Sequence, residues 1–351
     1  MRKLLWIGEP YFHDVLSRCG WQITWRHPKP GEVFTWQDCL DMVDGEPDLV
    51  AVTDNSRRPF VLGIEELPCP TVYYAVDTHI HSWLPLYAQA FDACLVSLKD
   101  HIPLFHMRLP KNRVLWSPPY AASRVTTVAK AERDLDVVFI GSFSAENTPI
   151  RVSFFQELRE FFPSLIAKFG DYYDFFPRAK VVVNICECGD LNFRVFETLG
   201  LGAALVTPEI ANGQSDLFTD GLHLRTYPLE FSGTPEEIAH RAVPGAVECI
   251  RQLLDDVQNR QAIAEAGQGE VFGRHLDIRR AEAFTALAGA IGPAEVAARR
   301  NTAENIRNRY LKLVYLHWAE HIEDARERTQ YIQAAKGWGV QKKHTGVGSN
   351  A

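Results

Sequence analysis

The chain has 351 residues, more than one hydrophobic core ordinarily serves, which predicts two domains. An apolar fraction of 46% and a charged fraction of 23% are those of a globular protein. A net charge of −7 argues against a nucleic-acid partner, which would draw on clustered Lys and Arg.

No apolar run approaches the roughly 18 residues of a membrane span. The opening "MRKLLWIGEP" has too short an apolar stretch for a signal peptide and predicts a first strand. The seven cysteines (19, 39, 69, 94, 186, 188 and 249) are scattered, which predicts reduced thiols and a cytoplasmic location.

Taken in chain order, strands are expected at 3–8, 21–26, 48–54, 71–77, 93–98 and 113–118. Most are separated by enough chain for a helix, the rhythm of βαβ units and a parallel sheet. Their near-continuous apolar character fits strands covered on both faces. The stretch 117–134, "SPPYAASRVTTVAKAERD", breaks the pattern with two prolines and a polar run, and predicts a linker. Strands resume at 136–143, 164–170, 180–185 and 203–208, with helices near 150–162, 191–200, 235–242, 245–257, 259–268 and 277–290. Two successive α/β domains follow, 1–120 and 135–292, joined by 121–134. A ligand cleft is expected between them, since open parallel sheets bind at the carboxyl ends of their strands.

From about 294 the sequence reads as amphipathic helix. Ile306, Tyr310, Leu313, Val314 and Trp318 fall near a 3.6-residue period, predicting a helical segment over 293–336 packed across the domains. The Gly-rich stretch 337–351 predicts a flexible tail.

The segment "GDLNFRVFETLGLGAALVTPE" (189–209) sets Arg194 and Glu197 inside an apolar, glycine-punctuated run. Asp190 stands where a helix N-cap belongs, and Gly200 where the helix would end. Leu191, Val195 and Leu199 form the core stripe, while Arg194 and Glu197 are i, i+3 neighbours on another face. A helix starting beyond a central strand turns its N–H groups toward the crevice, where a diphosphate would be stabilised. Glu197 could accept hydrogen bonds from a pair of sugar hydroxyls. The bland alternative is an exposed ion pair on a surface helix.

The block 172–227 carries an aromatic-rich segment, K-x-x-x-N, L-N-x-R-x-F-E and L-F-x-D-G followed by a tyrosine, in that order. It resembles the C-terminal domain of GT-B glycosyltransferases, most closely the group 1, spore-maturation-protein (CgeB)-like branch. Residues 262–284 and the opening "DVVFIGSF" with Arg151 are similar too, so the resemblance covers roughly 135–285. It implies two Rossmann-like domains, with a nucleotide-diphosphate sugar such as a UDP-sugar held by the second. Glu197 would hold the ribose, Arg194 and Arg151 the diphosphate, and Gly141 and Ser142 the phosphate-approaching loop, with Asn192 of the same motif beside them. Many retaining members carry a second Glu eight positions before the ribose-binding one. Here that position is Gly189, with Glu187 and Asp190 out of register, so the stereochemical outcome stays open.

Acceptor-side residues are expected in the first domain. "GEPYFHDVL" (8–16) puts His13 and Asp14 just after the first strand, and a histidine there suits a general base. "AVDTHIHSW" (75–83) offers Asp77, His79 and His81 as base or sugar-orienting groups. The same Asp-x-His-x-His pattern opens the metal site of some hydrolases, though no later strand ends in a comparable histidine. "CEC" (186–188) lacks a second cysteine pair and reads as small turn residues.

The expectation is therefore a metal-independent glycosyltransferase with no cofactor beyond its nucleotide-sugar donor. Its acceptor would be a glycan, protein or small molecule in cell-surface polysaccharide or glycoconjugate biosynthesis. The alternatives are a non-catalytic nucleotide-sugar-binding or coat-type protein on the same fold, and a metal hydrolase built on the Asp77 loop.

Overall fold

A computed structural model describes residues 1–43, 45–54 and 56–337. The chain divides into two compact units. The first comprises 1–97, 102–116 and Glu282 onward; the second comprises 98–101 and 117–281.

Six strands build the first sheet: β1 (Arg2–Ile7), β2 (Trp21–Arg26), β3 (Leu49–Thr53), β4 (Thr71–Ala75), β5 (Ala93–Val96) and β6 (Val114–Trp116). All neighbours are parallel, in the order β2-β1-β3-β4-β5-β6. Every residue of β3, β4 and β5 is buried, the reason these strands read as unbroken apolar runs. The connections are lighter than the sequence rhythm predicted. They hold α1 (Trp36–Met42), started by a Thr35/Asp38 capping box, α2 (Leu84–Ala88) and several 3-10 turns, one of them His13–Cys19. The chain reverses its direction of progress between β1 and β3. Just there Gly8 takes a φ of 116°, and a Cβ on it would strike the Thr53 backbone.

The second unit holds β7 (Leu135–Ile140), α3 (Pro149–Phe161), β8 (Ile166–Lys168), β9 (Ala179–Val183), α4 (Phe193–Gly200), β10 (Ala204–Pro208), α5 (Gln214–Leu217), β11 (Arg225–Tyr227), α6 (Pro235–Asp255), α7 (Val257–Arg274) and the start of α8 (Asp277–Gly289). Its five strands are parallel in the order β11-β10-β9-β7-β8. The edge strand β11 was not expected. Nor were 235–242 and 245–257 expected to form one helix. α6 runs through Pro244 because Ala242, Val243, Ala246, Val247 and Ile250 are all buried along it. Gly245 lets it approach β11, where a Cβ would lie 3.1 Å from Pro228 Cδ.

The helix expected at 191–200 starts at Phe193, and its N-cap is Asn192 rather than Asp190. Leu191 is buried all the same, ahead of the helix.

The C-terminal segment consists of α9 (Pro293–Asn301), α10 (Ala303–Ile306), a π turn (Arg307–Leu311), α11 (Lys312–His321) and α12 (Ala325–Ala335). It belongs to the first unit instead of spanning both, and the chain returns there at 281/282 rather than 292. Two buried ion pairs fasten it: Arg299 to Asp92 at 2.8 Å and Arg307 to Glu65 at 3.0 Å. Removing one member of such a pair typically costs about 3–5 kcal/mol, because its partner is left buried and uncompensated. The π turn adds a residue to the helical phase. Tyr310, Leu311, Val314 and Tyr315 therefore face the core, while Leu313, placed on the stripe by periodicity, is 65% exposed. The tail expected over 337–351 lies, from 338 onward, outside the described residues. No helix among the described residues is long and apolar enough to cross a membrane.

Candidate functional site

In the second sheet the chain goes from β7 out to β8 and then returns to the other side of β7 as β9. Between two such strands the connections part at their carboxyl ends and leave a crevice. Gly141 and Ser142 follow β7 there, Asn184 follows β9, and α4 starts nearby. Gly141 N–H donates to Lys168 O at 3.0 Å, and a side chain on Gly141 would collide with Phe139 and with Arg194 Nη2. Glycine is required because a guanidinium lies against the backbone.

Arg194 donates from Nε to Ile140 O at 2.9 Å and from Nη1 to Asn184 Oδ1 at 2.8 Å. Its guanidinium stacks over the Phe139 ring at 4.3 Å, and that of Arg151 lies 5.4 Å from the same ring. Arg151 donates from Nη1 to Ser142 O at 2.8 Å, while its buried Nε has no partner among the described residues. Burial and then repulsion from Arg151 hold Arg194 down to about 10; Glu197 and Asp190 offset this in part. Burial likewise lowers Arg151. Two like charges held together on one ring are relieved by an anion between them.

Asn184 is the hub of this end of the sheet. Its side chain receives Arg194 and donates to Thr207 Oγ1 at 3.0 Å, and its carbonyl accepts from Tyr227 Oη at 2.6 Å. Asn192 Nδ2 also reaches Asn184 Oδ1, at 3.4 Å, and leaves Asn192 Oδ1 buried without a partner. Glu197 is partly buried one turn into α4. Burial pushes its carboxyl up to about 7, against the pull of Arg194 and a hydrogen bond from the Tyr172 side chain. Arg194 and Glu197 are thus tied into the interior of the sheet end, and the surface-pair alternative does not describe them.

Glu187 is engaged elsewhere. Its carboxylate accepts from the N–H groups of Arg151 at 2.9 Å and Ile150 at 3.2 Å, closing the first turn of α3. Gly189 takes a φ of 74° and its carbonyl accepts from Asn212 Nδ2 at 2.9 Å. The departure at 189 is thus a backbone requirement, and Glu187 does not stand in for it.

In the first unit the corresponding reversal lies between β1 and β3. His13 follows β1, with Nδ1 2.5 Å from Pro10 O and 3.2 Å from Asp14, and its ring 5.1 Å from that of Trp25. Nδ1 therefore carries the hydrogen toward the carbonyl, which makes Nε2 the basic nitrogen. Asp54, at the end of β3, is buried and accepts from the N–H groups of Asp77 at 2.7 Å, Ser56 at 2.9 Å and Val76 at 3.3 Å. Burial raises its carboxyl. Asp77 accepts from Ser56 Oγ, and Tyr11 donates to Asp54 O at 3.1 Å. His79 and His81 sit in the turn that leads to α2, where the His81 ring lies 6.1 Å from that of Trp83.

Asp54, Tyr11, Asn184 and Tyr172 escaped the sequence reading, although Asn184 stands in the quoted K-x-x-x-N. Cys186 is buried and Cys188 exposed, both free thiols. Among the described residues no three His, Cys, Asp or Glu side chains gather as a metal site.

Residues 125–286 match a protein-family model described as glycosyl transferase-like. No curated protein matches the chain. Among solved structures, Anabaena Alr3699/HepE in complex with UDP and glucose is similar at a TM-score of 0.54 and 12% identity, over 83% of this chain and 100% of that one. A glycosyltransferase from Rickettsia africae scores 0.54 at 8% identity, over 82% and 98% of the two chains. The sucrose-phosphate synthase from Thermosynechococcus elongatus scores 0.53 at 8% identity, again over 82% and 98%. Against the pneumococcal O-GlcNAc transferase GtfA the score is 0.49 at 12% identity, over 69% of this chain, and this chain spans only 56% of that one. With two all-parallel sheets each carrying helices, the chain has the α/β fold of the GT-B glycosyltransferases.

Proposed function

We propose that this protein transfers a sugar from a nucleotide-diphosphate sugar to an acceptor hydroxyl, as a member of the group 1, CgeB-like branch. One observation carries the reading: Arg151 and Arg194 meet over Phe139, beside Gly141, at the carboxyl ends of β7 and β9. The diphosphate lies between those guanidiniums and the start of α4, whose N–H groups and dipole add to the field. Glu197 accepts the ribose hydroxyls, and Asn192 Oδ1 faces the same ligand. UDP is the first nucleotide to test, because the similar Anabaena structure was solved with UDP.

In the reaction the bond from the anomeric carbon to the diphosphate oxygen breaks, and the diphosphate leaves with the electron pair. The acceptor oxygen bonds to the anomeric carbon and its proton passes to a base. His13 is that base, through Nε2, with Asp77, His79 and His81 holding the acceptor in the first unit. No metal takes part, the two arginines neutralising the leaving group instead. The reaction serves cell-surface polysaccharide or glycoconjugate synthesis in the cytoplasm.

Thermal-shift titration with UDP, GDP and their sugars tests the reading. A nucleotide present at 100 times its dissociation constant stabilises by about 2.7 kcal/mol. Millimolar nucleotides that leave the melting temperature unmoved overturn it.

A further inference from the structure

The segment expected as a linker is held down along its second half. Val125, Val128, Ala129, Lys130, Ala131 and Arg133 of that segment, with α7, wall a cavity of about 360 Å³. The wall includes Arg133 just ahead of β7, Pro177 ahead of β9, and Leu201 and Gly202 ahead of β10. The cavity therefore opens at the amino ends of the strands, the opposite end of the second sheet from Arg151 and Arg194.

Three cations line it: Lys130, Arg133 and Arg260. Arg133 donates to the carbonyls of Ala179 at 2.5 Å, Phe176 at 3.2 Å, Leu201 at 3.4 Å and Gly202. Arg260 donates from Nη1 to Leu253 O at 2.6 Å and Leu254 O at 3.0 Å, in the last turn of α6. Both guanidiniums are partly buried, and both are satisfied by carbonyls instead of carboxylates. Burial and mutual repulsion lower Arg133. Glu265 is the single acidic side chain on the wall, which leaves it with surplus positive charge in a chain of net charge −7. Partly buried cations without counter-ions are costly, and multiply charged oxyanions match guanidinium forks and an ammonium.

We propose that this cavity binds a small, soluble phosphate-bearing anion, which pins residues 125–133 onto α7. Gln261 and Gln268 supply amide donors on the same wall, and the volume lies within the range of small-ligand sites. The proposal is independent of the donor site, since no residue is shared.

Hydrogen-exchange mass spectrometry on the full chain with inorganic pyrophosphate reads the two sites separately. At ten times its dissociation constant pyrophosphate should slow exchange over 125–133 and 257–268 by about tenfold. Lys130→Ala, an exposed change that spares the core, should weaken this protection about fivefold and leave 141–151 untouched. Arg260→Gln should weaken it further, and Arg151→Ala should affect 141–151 alone. Protection confined to 141–151 and 187–197 overturns the proposal. So does protection at 125–133 that survives both Lys130→Ala and Arg260→Gln. Phosphatidic acid vesicles that protect 125–133 where pyrophosphate does not would overturn the assignment to a soluble ligand.

Discussion

The two sheets reverse their strand order in the same way and furnish their reversal points with opposite chemistry. In the first unit the loops after β1, β3 and β4 bring together Tyr11, Asp54 and Asp77, an acidic and aromatic group, while His13, on the same loop as Tyr11, packs against Trp25. In the second unit the loop after β7, the start of α3 and α4 bring together Arg151 and Arg194 over Phe139. One topology thus carries an acidic and aromatic group at one reversal and a pair of guanidiniums at the other. Topology decides where a site can form, and the side chains at the strand ends decide what it can hold.

The comparison breaks most sharply at His13. His13→Ala should lower turnover by about 10²–10⁴-fold, the usual worth of a positioned base. Affinity for the nucleotide should stay unchanged, since the residue belongs to the other unit. Steady-state turnover beside nucleotide titration checks both halves. A fully active His13→Ala with an inactive Asp77→Ala would move the base to the loop after β4.

The next effect concerns the guanidiniums. Arg194→Ala should weaken nucleotide binding by about 1.5–3 kcal/mol, the worth of a charged hydrogen bond. It should also lower the melting temperature, because Asn184 Oδ1 and Ile140 O lose their donor. Arg151→Ala should weaken binding similarly with a smaller stability change, its contacts being to Ser142 at the surface. Calorimetric titration and thermal melts separate the two. Unchanged affinity in both variants would leave the second reversal point without an anion.

Smaller still is the effect of pH on Glu197. Burial raises its carboxyl from 4.5 to about 7 in the folded protein. Between those values the folded state holds a proton that the unfolded state has released, so stability falls as pH rises through the window and stays lower above it. Glu197→Gln should remove that dependence and raise the melting temperature at pH 8 by about 2–4 °C. Donor affinity of the wild type should strengthen as pH rises through 7, since ribose hydroxyls donate to a carboxylate, and should be flat in the variant. Melts and titrations at pH 5.5, 7 and 8.5 check both. The smallest expected effect is that of EDTA, which should leave turnover unchanged; loss of activity restored by zinc would favour the metal alternative at Asp77.

The sequence by itself determined every strand of both sheets except the edge strand β11. A parallel strand covered on both faces must be apolar at nearly every position, so "DLVAVTD" and "KVVVNI" announce themselves locally. It also placed Arg194 and Glu197 on one helix beyond a central strand, because helical spacing is a local property.

What only the tertiary structure decided are pairings across long separations. Asn184 is a hub because Thr207 and Tyr227 arrive from neighbouring strands, and Glu187 is occupied because Arg151, in the first turn of α3, lies 36 residues earlier in the chain. Asn192 starts α4 in place of Asp190 in a segment where Asn184 and Asn212 hold the chain from outside. β11 is a strand because β10 pairs with it. The C-terminal helices join the first unit through Arg299 and Arg307, whose partners lie over 200 residues away. No local pattern encodes such contacts. Their free energy depends on what the rest of the fold brings alongside.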